Sequence, residues 1–175
     1  MDLAIIPECY VDTNLIETLV PPIRGYNHQK GCGTVTKVMK DRFKDGFAVG
    51  IIDKDKKEVD YLSEFTEVLK TGSLTLHRHK TVHHYIIQIS PAVERFLLTQ
   101  ATLSGISLLD FNLPTDLDKL KKVTKTATSK DDIRFRGLIK AIKKSGSQEF
   151  KTLASWIHYL KTNQYDANIE DLKKI

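Results

Sequence analysis

The chain has 175 residues, 41% hydrophobic and 28% charged, with a formal charge of +5 and a pI near 9.1. That composition fits a soluble globular protein with room for one sizeable core. It excludes a membrane protein of helical type, because no apolar run approaches the roughly 20 residues a span needs. Cys9 and Cys32 show neither a CxxC nor a zinc spacing and read as free thiols.

Residues 3–8, LAIIPE, form an apolar run expected to be a strand ending in Glu8. VDTNLIETLV follows with Leu15, Ile16 and Leu19 at helical spacing, and Pro21-Pro22 stops that helix. Residues 24–33 make a polar, Gly-rich loop, and residues 34–43 a second helix with Val35, Val38 and Met39 on one face. FAVGIID, residues 47–53, is almost continuously apolar, as a strand buried on both faces in a parallel sheet is. LTLHRHK and HHYIIQIS predict two more strands. Ser90-Pro91 then predicts a helix start, with Ser90 as N-cap and Pro91 at the first helical position. Val93, Phe96 and Leu97 would be its buried face.

The remainder reads as helical. Residues 116–126 form a charged amphipathic segment. Ser129 is expected to cap a helix running to about Lys144 with Ile133, Leu138, Ile139 and Ile142 inward. Ser147 is expected to cap a last helix carrying Phe150, Leu153, Trp156, Ile157 and Leu160, before a polar, frayed tail after Tyr165. The fold class is α/β, a Rossmann-like, mostly parallel sheet flanked by helices, with a helical C-terminal extension. The seam is placed between a core of residues 1–105 and an extension of residues 106–175, the two packed together.

The chemistry gathers at strand ends, where open parallel sheets place functional groups. Asp53 and Asp55 stand one residue apart at such an end. Two close carboxylates repel unless a divalent cation lies between them, and hard oxygen ligands suit Mg²⁺ or Mn²⁺. A charged surface turn, DKDKKE, is the plainer reading. Glu8 ends the first strand and would fall beside Asp53 and Asp55 if the two strands are parallel neighbours. Asp12, four residues on, is expected to favour the helix N-terminus through its dipole.

AIIPECYVDTNLIETL resembles the first Toprim element: apolar strand, Glu, small residue, Asp, apolar helix. AVGIIDKD resembles the second, an apolar strand ending in DxD. The resemblance covers roughly residues 1–100. It implies a Toprim fold and Mg²⁺-dependent phosphodiester chemistry on nucleic acid, DNA or RNA. Glu8 would be the acid/base carboxylate, and Asp53 and Asp55 the metal ligands. IIQISPAVERFLL is similar to the later acidic element of OLD-type nucleases, which adds Glu94 as a ligand and implies a possible partner ATPase in a phage-defence or repair setting. Cys9 stands where glycine is usual, and Pro7 gives up a ladder N–H.

Lys30, Gly31 and Gly33 could present cation and backbone amides to a phosphate, although KGCGTVTK lacks the GxxxxGK[ST] arrangement. Lys54, and Lys140 within the basic stretch 119–144, would hold the nucleic-acid backbone. His77, His79, His83 and His84 read as the polar face of a hairpin. The alternative functions are a catalytically weak Toprim-like module that binds nucleic acid or a partner protein, and a small-molecule phosphotransfer enzyme using the same acids. The N-terminus has no basic region before its apolar run, so a cytoplasmic protein is expected.

Overall fold

The computed structural model describes residues 2–54 and 59–175. Its framework is a five-stranded mixed sheet in the order β1-β2-β5-β4-β3. The strands are β1 (Ile5–Pro7), β2 (Ala48–Asp53), β3 (Phe65–Thr71), β4 (Leu74–His79) and β5 (His84–Ile89). β1 pairs β2, and β2 pairs β5, in parallel; β4 runs antiparallel to both β5 and β3. The sheet is therefore half antiparallel rather than mostly parallel. β3 was not apparent in the sequence, because an edge strand with exposed Thr66, Glu67 and Lys70 lacks the continuous apolar run of a central one.

Alternation along the central strands sends side chains to two layers. Ile5, Val49, Ile51, Tyr85, Ile87 and Ile89 face one cluster, shared with α1 (Tyr10–Leu19), α3 (Val93–Leu103), α5 (Ile133–Lys144) and α6 (Gln148–Asn163). Ile6, Ala48, Ile52 and Ile86 face the other, covered by α2 (Cys32–Val38), whose last turn continues as a π-helix through Met39–Phe43. Residues of both the sheet and the C-terminal helices thus share one hydrophobic cluster. At Gly50 a Cβ would meet Met39 Sδ at 2.9 Å and Val35 Cγ1 at 3.0 Å, so α2 sits directly on the β2 backbone. Gly50→Val is expected to cost about 1–3 kcal/mol through overpacking; a denaturation midpoint equal to the parent's would refute that.

Pro7 fits because β1 is the outer strand. The Glu8 N–H donates to Ile51 O of β2, so the preceding nitrogen faces away from the sheet. On that outer side Asn27 and Gln29 donate to Ile5 O and Pro7 O, and the loop of residues 27–31 lines the edge.

Five local expectations change. α3 begins at Val93 with Ala92 as N-cap, after a cis Ser90–Pro91 bond, and not at Ser90. α5 is capped by Asp132, whose Oδ1 accepts from the Arg134 N–H, while Ser129 is buried in a 3-10 turn, Ala127–Lys130. Ile133, at the first position of α5, is 79% exposed and not inward. The tail is not frayed: Asn168 caps α7 (Ile169–Leu172), and Leu172 is buried. The remaining α4 spans Leu117–Thr124, and Ser147 caps α6 as expected. The histidines lie in the β4–β5 hairpin, but His77, His79 and His84 are buried rather than on a polar face. His77 pairs with Gln88, and His84 Nδ1 with the Tyr61 hydroxyl at 2.7 Å. Among the described residues no helix is long and apolar enough to cross a membrane.

Candidate functional site

β1 and β2 end side by side, Pro7 opposite Ile51, and so deliver Glu8 and Asp53 to the same edge of the sheet. β5 ends beside β2, Asp53 opposite Ile89, and the chain turns back into α3, which carries Glu94 in its first turn. Glu8, Asp53 and Glu94 line one pocket of about 340 Å³. Three acidic residues singled out in three separate stretches of sequence therefore meet. Asp55 lies outside the described residues.

Each carboxylate is held by a specific donor. Glu8 Oε2 accepts the Asp53 N–H at 2.9 Å. Asp53 Oδ1 accepts the Val93 N–H at 2.9 Å, and so supplies from β2 the helix cap that Ser90 does not. Glu94 Oε1 accepts the Thr124 hydroxyl at 2.5 Å. Asp12, fully buried, closes a capping box with Cys9: its Oδ2 accepts the Cys9 N–H, and its own N–H donates to Cys9 Sγ. Cys9 is extended (φ −134°, ψ 174°), so this turn does not require the glycine usual at that position. Asp12 Oδ1 is buried with no hydrogen-bond partner among the described residues.

Burial and neighbouring carboxylates alter the ionisation of Asp53 and Asp12. Burial first, then the charges of Asp12, Glu8 and Glu94, push Asp53 up to about 10. Burial, with Glu8 and Glu94 adding, pushes Asp12 up to about 8 against the lowering effect of its bond from Cys9. Burial also raises the Cys9 thiol far above its ordinary range, so it is a capping group and not a nucleophile.

The facing wall is aromatic and basic. Tyr10 stacks on His28 with centroids 4.3 Å apart, and Lys30 Nζ lies 5.5 Å from the Tyr10 ring centre. The Thr13 hydroxyl donates to Cys9 O at 2.8 Å, so at 2.9 Å from His28 Nδ1 it can only accept, which places the ring proton on Nδ1. Burial lowers the His28 pKa. The neutral ring leaves Nε2 an acceptor with no partner among the described residues. Lys125 completes the wall from the end of α4.

Of the phosphate-binding candidates, Lys30 and Gly31 line the pocket. Gly33, Lys54 and Lys140 do not. The Gly31 N–H is already spent on Glu8 O, so it offers no donor to an anion. A larger cavity of about 550 Å³ lies between the end of α1 and α6. Its ionisable lining is His158 and Lys161, and Lys161 is paired with Asp2 at 2.6 Å, so this cavity gathers no group of acids like that at the strand ends.

Sequence reasoning gave Asp12 only a helix-end role and passed over Thr124, Tyr10 and His28. Asp12 had a signal, its position four residues after Glu8 and one helical turn from the strand end. Compared with protein-family models, curated proteins and solved structures, the chain matches none of them.

Proposed function

We propose that the chain performs metal-dependent phosphodiester chemistry on nucleic acid, in the manner of a Toprim-like nuclease. The observation that supports this most is the convergence of Glu8, Asp53 and Glu94 on one pocket at the carboxyl ends of adjacent parallel strands. The donor set suits Mg²⁺ or Mn²⁺. Its ligands are hard oxygens, and its mutual repulsion, with one buried oxygen of Asp12 unpartnered, is what a cation relieves. Among the described residues no three His, Cys, Asp or Glu side chains gather for one ion. Mg²⁺ commonly takes only one or two carboxylates and keeps water or substrate oxygens for the rest. Asp53 and Glu94 would supply the carboxylates, with Asp55 from outside the described residues.

A bound divalent cation would polarise a phosphodiester oxygen and make water a better nucleophile. The chain's own groups divide the remaining work. Glu8, oriented by the Asp53 N–H, exchanges a proton with the reacting oxygens. Lys30 and Lys125 face the anionic backbone, so affinity falls steeply with salt.

The test is Mn²⁺ titration by calorimetry, alone and with a short single-stranded oligonucleotide, alongside cleavage assays in Mg²⁺ and in chelator. The parent is expected to bind and cut, and Asp53→Asn to lose both. A double Asp53→Asn, Asp55→Asn variant that binds and cuts like the parent would end this reading.

A second reading is a nucleic-acid- or partner-binding module without catalysis. It is favoured by the upward shift of Asp12 and Asp53, which leaves both holding protons at neutral pH in the metal-free protein. Undiminished nucleic-acid binding in chelator, with no cleavage under any metal, would select it.

A further inference from the structure

We propose that Thr124, at the end of α4, is a positioning residue for Glu94, so that the helical extension completes the acidic site. The inference rests on the metal-dependent reading above. Thr124 is 2% exposed, and its single hydroxyl hydrogen has two acceptors in reach: Glu94 Oε1 at 2.5 Å and Lys121 O at 3.1 Å. The shorter contact, to a carboxylate, takes it. Glu94 is itself only 8% exposed, and this is its one hydrogen bond to another side chain among those described. A carboxylate with two oxygens and one fixed donor is thereby turned so that its other oxygen is left for a ligand.

The support behind Thr124 is continuous. Its carbonyl accepts the Ser129 hydroxyl at 2.7 Å, and Ser129 O accepts the Asn14 amide at 2.8 Å. Asn14 also donates to Asp132 O at 3.1 Å and stands on α1, half a turn beyond Asp12. The turn between α4 and α5 is thus tied to the helix that begins at the acid cluster. Lys125, the next residue, lines the same pocket.

The test compares Thr124→Val, which keeps the shape and removes the hydroxyl, with Thr124→Ser, which keeps the hydroxyl. Mn²⁺ affinity and thermal midpoint are read for each. Loss of a residue that orients a metal ligand weakens metal affinity by roughly 10–100-fold. Thr124→Val is expected to show that loss and Thr124→Ser to restore affinity to within about threefold of the parent, even where both melt lower. Should Thr124→Val fail to fold, Thr124→Ser against Thr124→Ala makes the same comparison. Parent-like Mn²⁺ affinity in the variant lacking the hydroxyl, with only a lowered midpoint, overturns the inference and leaves the metal reading intact. Absence of Mn²⁺ binding by the parent, with and without oligonucleotide, overturns both.

Discussion

Metal-free protein is expected to lose stability as pH rises from about 4 to about 10, and Asp53→Asn is expected to remove the upper part of that loss. Both Asp12 and Asp53 have folded values, about 8 and about 10, above the ordinary 3.8. Between those limits the folded state holds protons that the unfolded chain has released. The stability these two groups contribute is therefore full below about 4 and is lost as pH climbs through each folded value. One proton sets a ceiling of about 1.4 kcal/mol per pH unit, and Asp53, only partly shielded from water, contributes less than that. His84 works the other way: burial lowers it from 6.5 to about 4, so its contribution is present above 6.5 and lost as pH falls. The decline is accordingly steepest between about 6.5 and 8. Asn at position 53 keeps an oxygen for the Val93 N–H while removing the charge, so α3 stays capped. Saturating Mn²⁺ should flatten the parent's curve in the same range. Denaturation midpoints in chelator at five pH values decide it; an Asp53→Asn curve that falls as steeply as the parent's above pH 8 would show that Asp53 is not the titrating group.

The acids that meet in the pocket were legible because each ends or begins an element whose local pattern is strong. An apolar run followed at once by a carboxylate places Glu8 and Asp53 at strand ends, and parallel pairing of β1 with β2 follows from the intervening helices. Glu94 was singled out only through the resemblance of IIQISPAVERFLL to the later acidic element of OLD-type nucleases; the helix pattern by itself marks it no more than as a glutamate in a first turn. What was not legible is whatever depends on a partner distant in sequence. The α3 cap comes from Asp53, forty residues away, so the nearest local candidate, Ser90, was misread. Ser129 looked like a cap because hydroxyl residues often are, but it is buried with its hydroxyl on Thr124 O and Thr126 O. Gly31 has the positive φ of a turn glycine, +87°, yet its amide faces Glu8 O and not an anion. Asp12 was read correctly as a helix-end residue, but pattern alone does not reveal that the same side chain is fully buried within the electrostatic reach of Glu8, Glu94 and Asp53.

Phe150→Ala is expected to cost about 3–5 kcal/mol and to lower every unfolding signal together. Phe150 is fully buried on α6 and stacks on Phe96 of α3, centroids 5.3 Å apart and planes 20° from parallel. It belongs to the same cluster as Val49, Ile51 and Ile87 of the sheet, so truncating it leaves a cavity where the extension meets the core. A domain commonly holds only about 5–15 kcal/mol in total, so the loss is a large fraction of the whole. The chain's one tryptophan, Trp156, lies on the same helix, and its fluorescence reports the extension while far-UV circular dichroism reports the entire chain. If residues 106–175 fold only against the sheet, the two signals share one midpoint in the parent and shift by the same amount in the variant. Two separated transitions, with only the fluorescence moved, would make the extension an independent unit. Ile133→Ala is the control: a residue of similar apolar character in the same extension, it is 79% exposed and should change stability by no more than about 0.5 kcal/mol. The contrast between the two substitutions turns on packing alone, since both remove hydrocarbon from helices of the extension and only one of those groups touches the core.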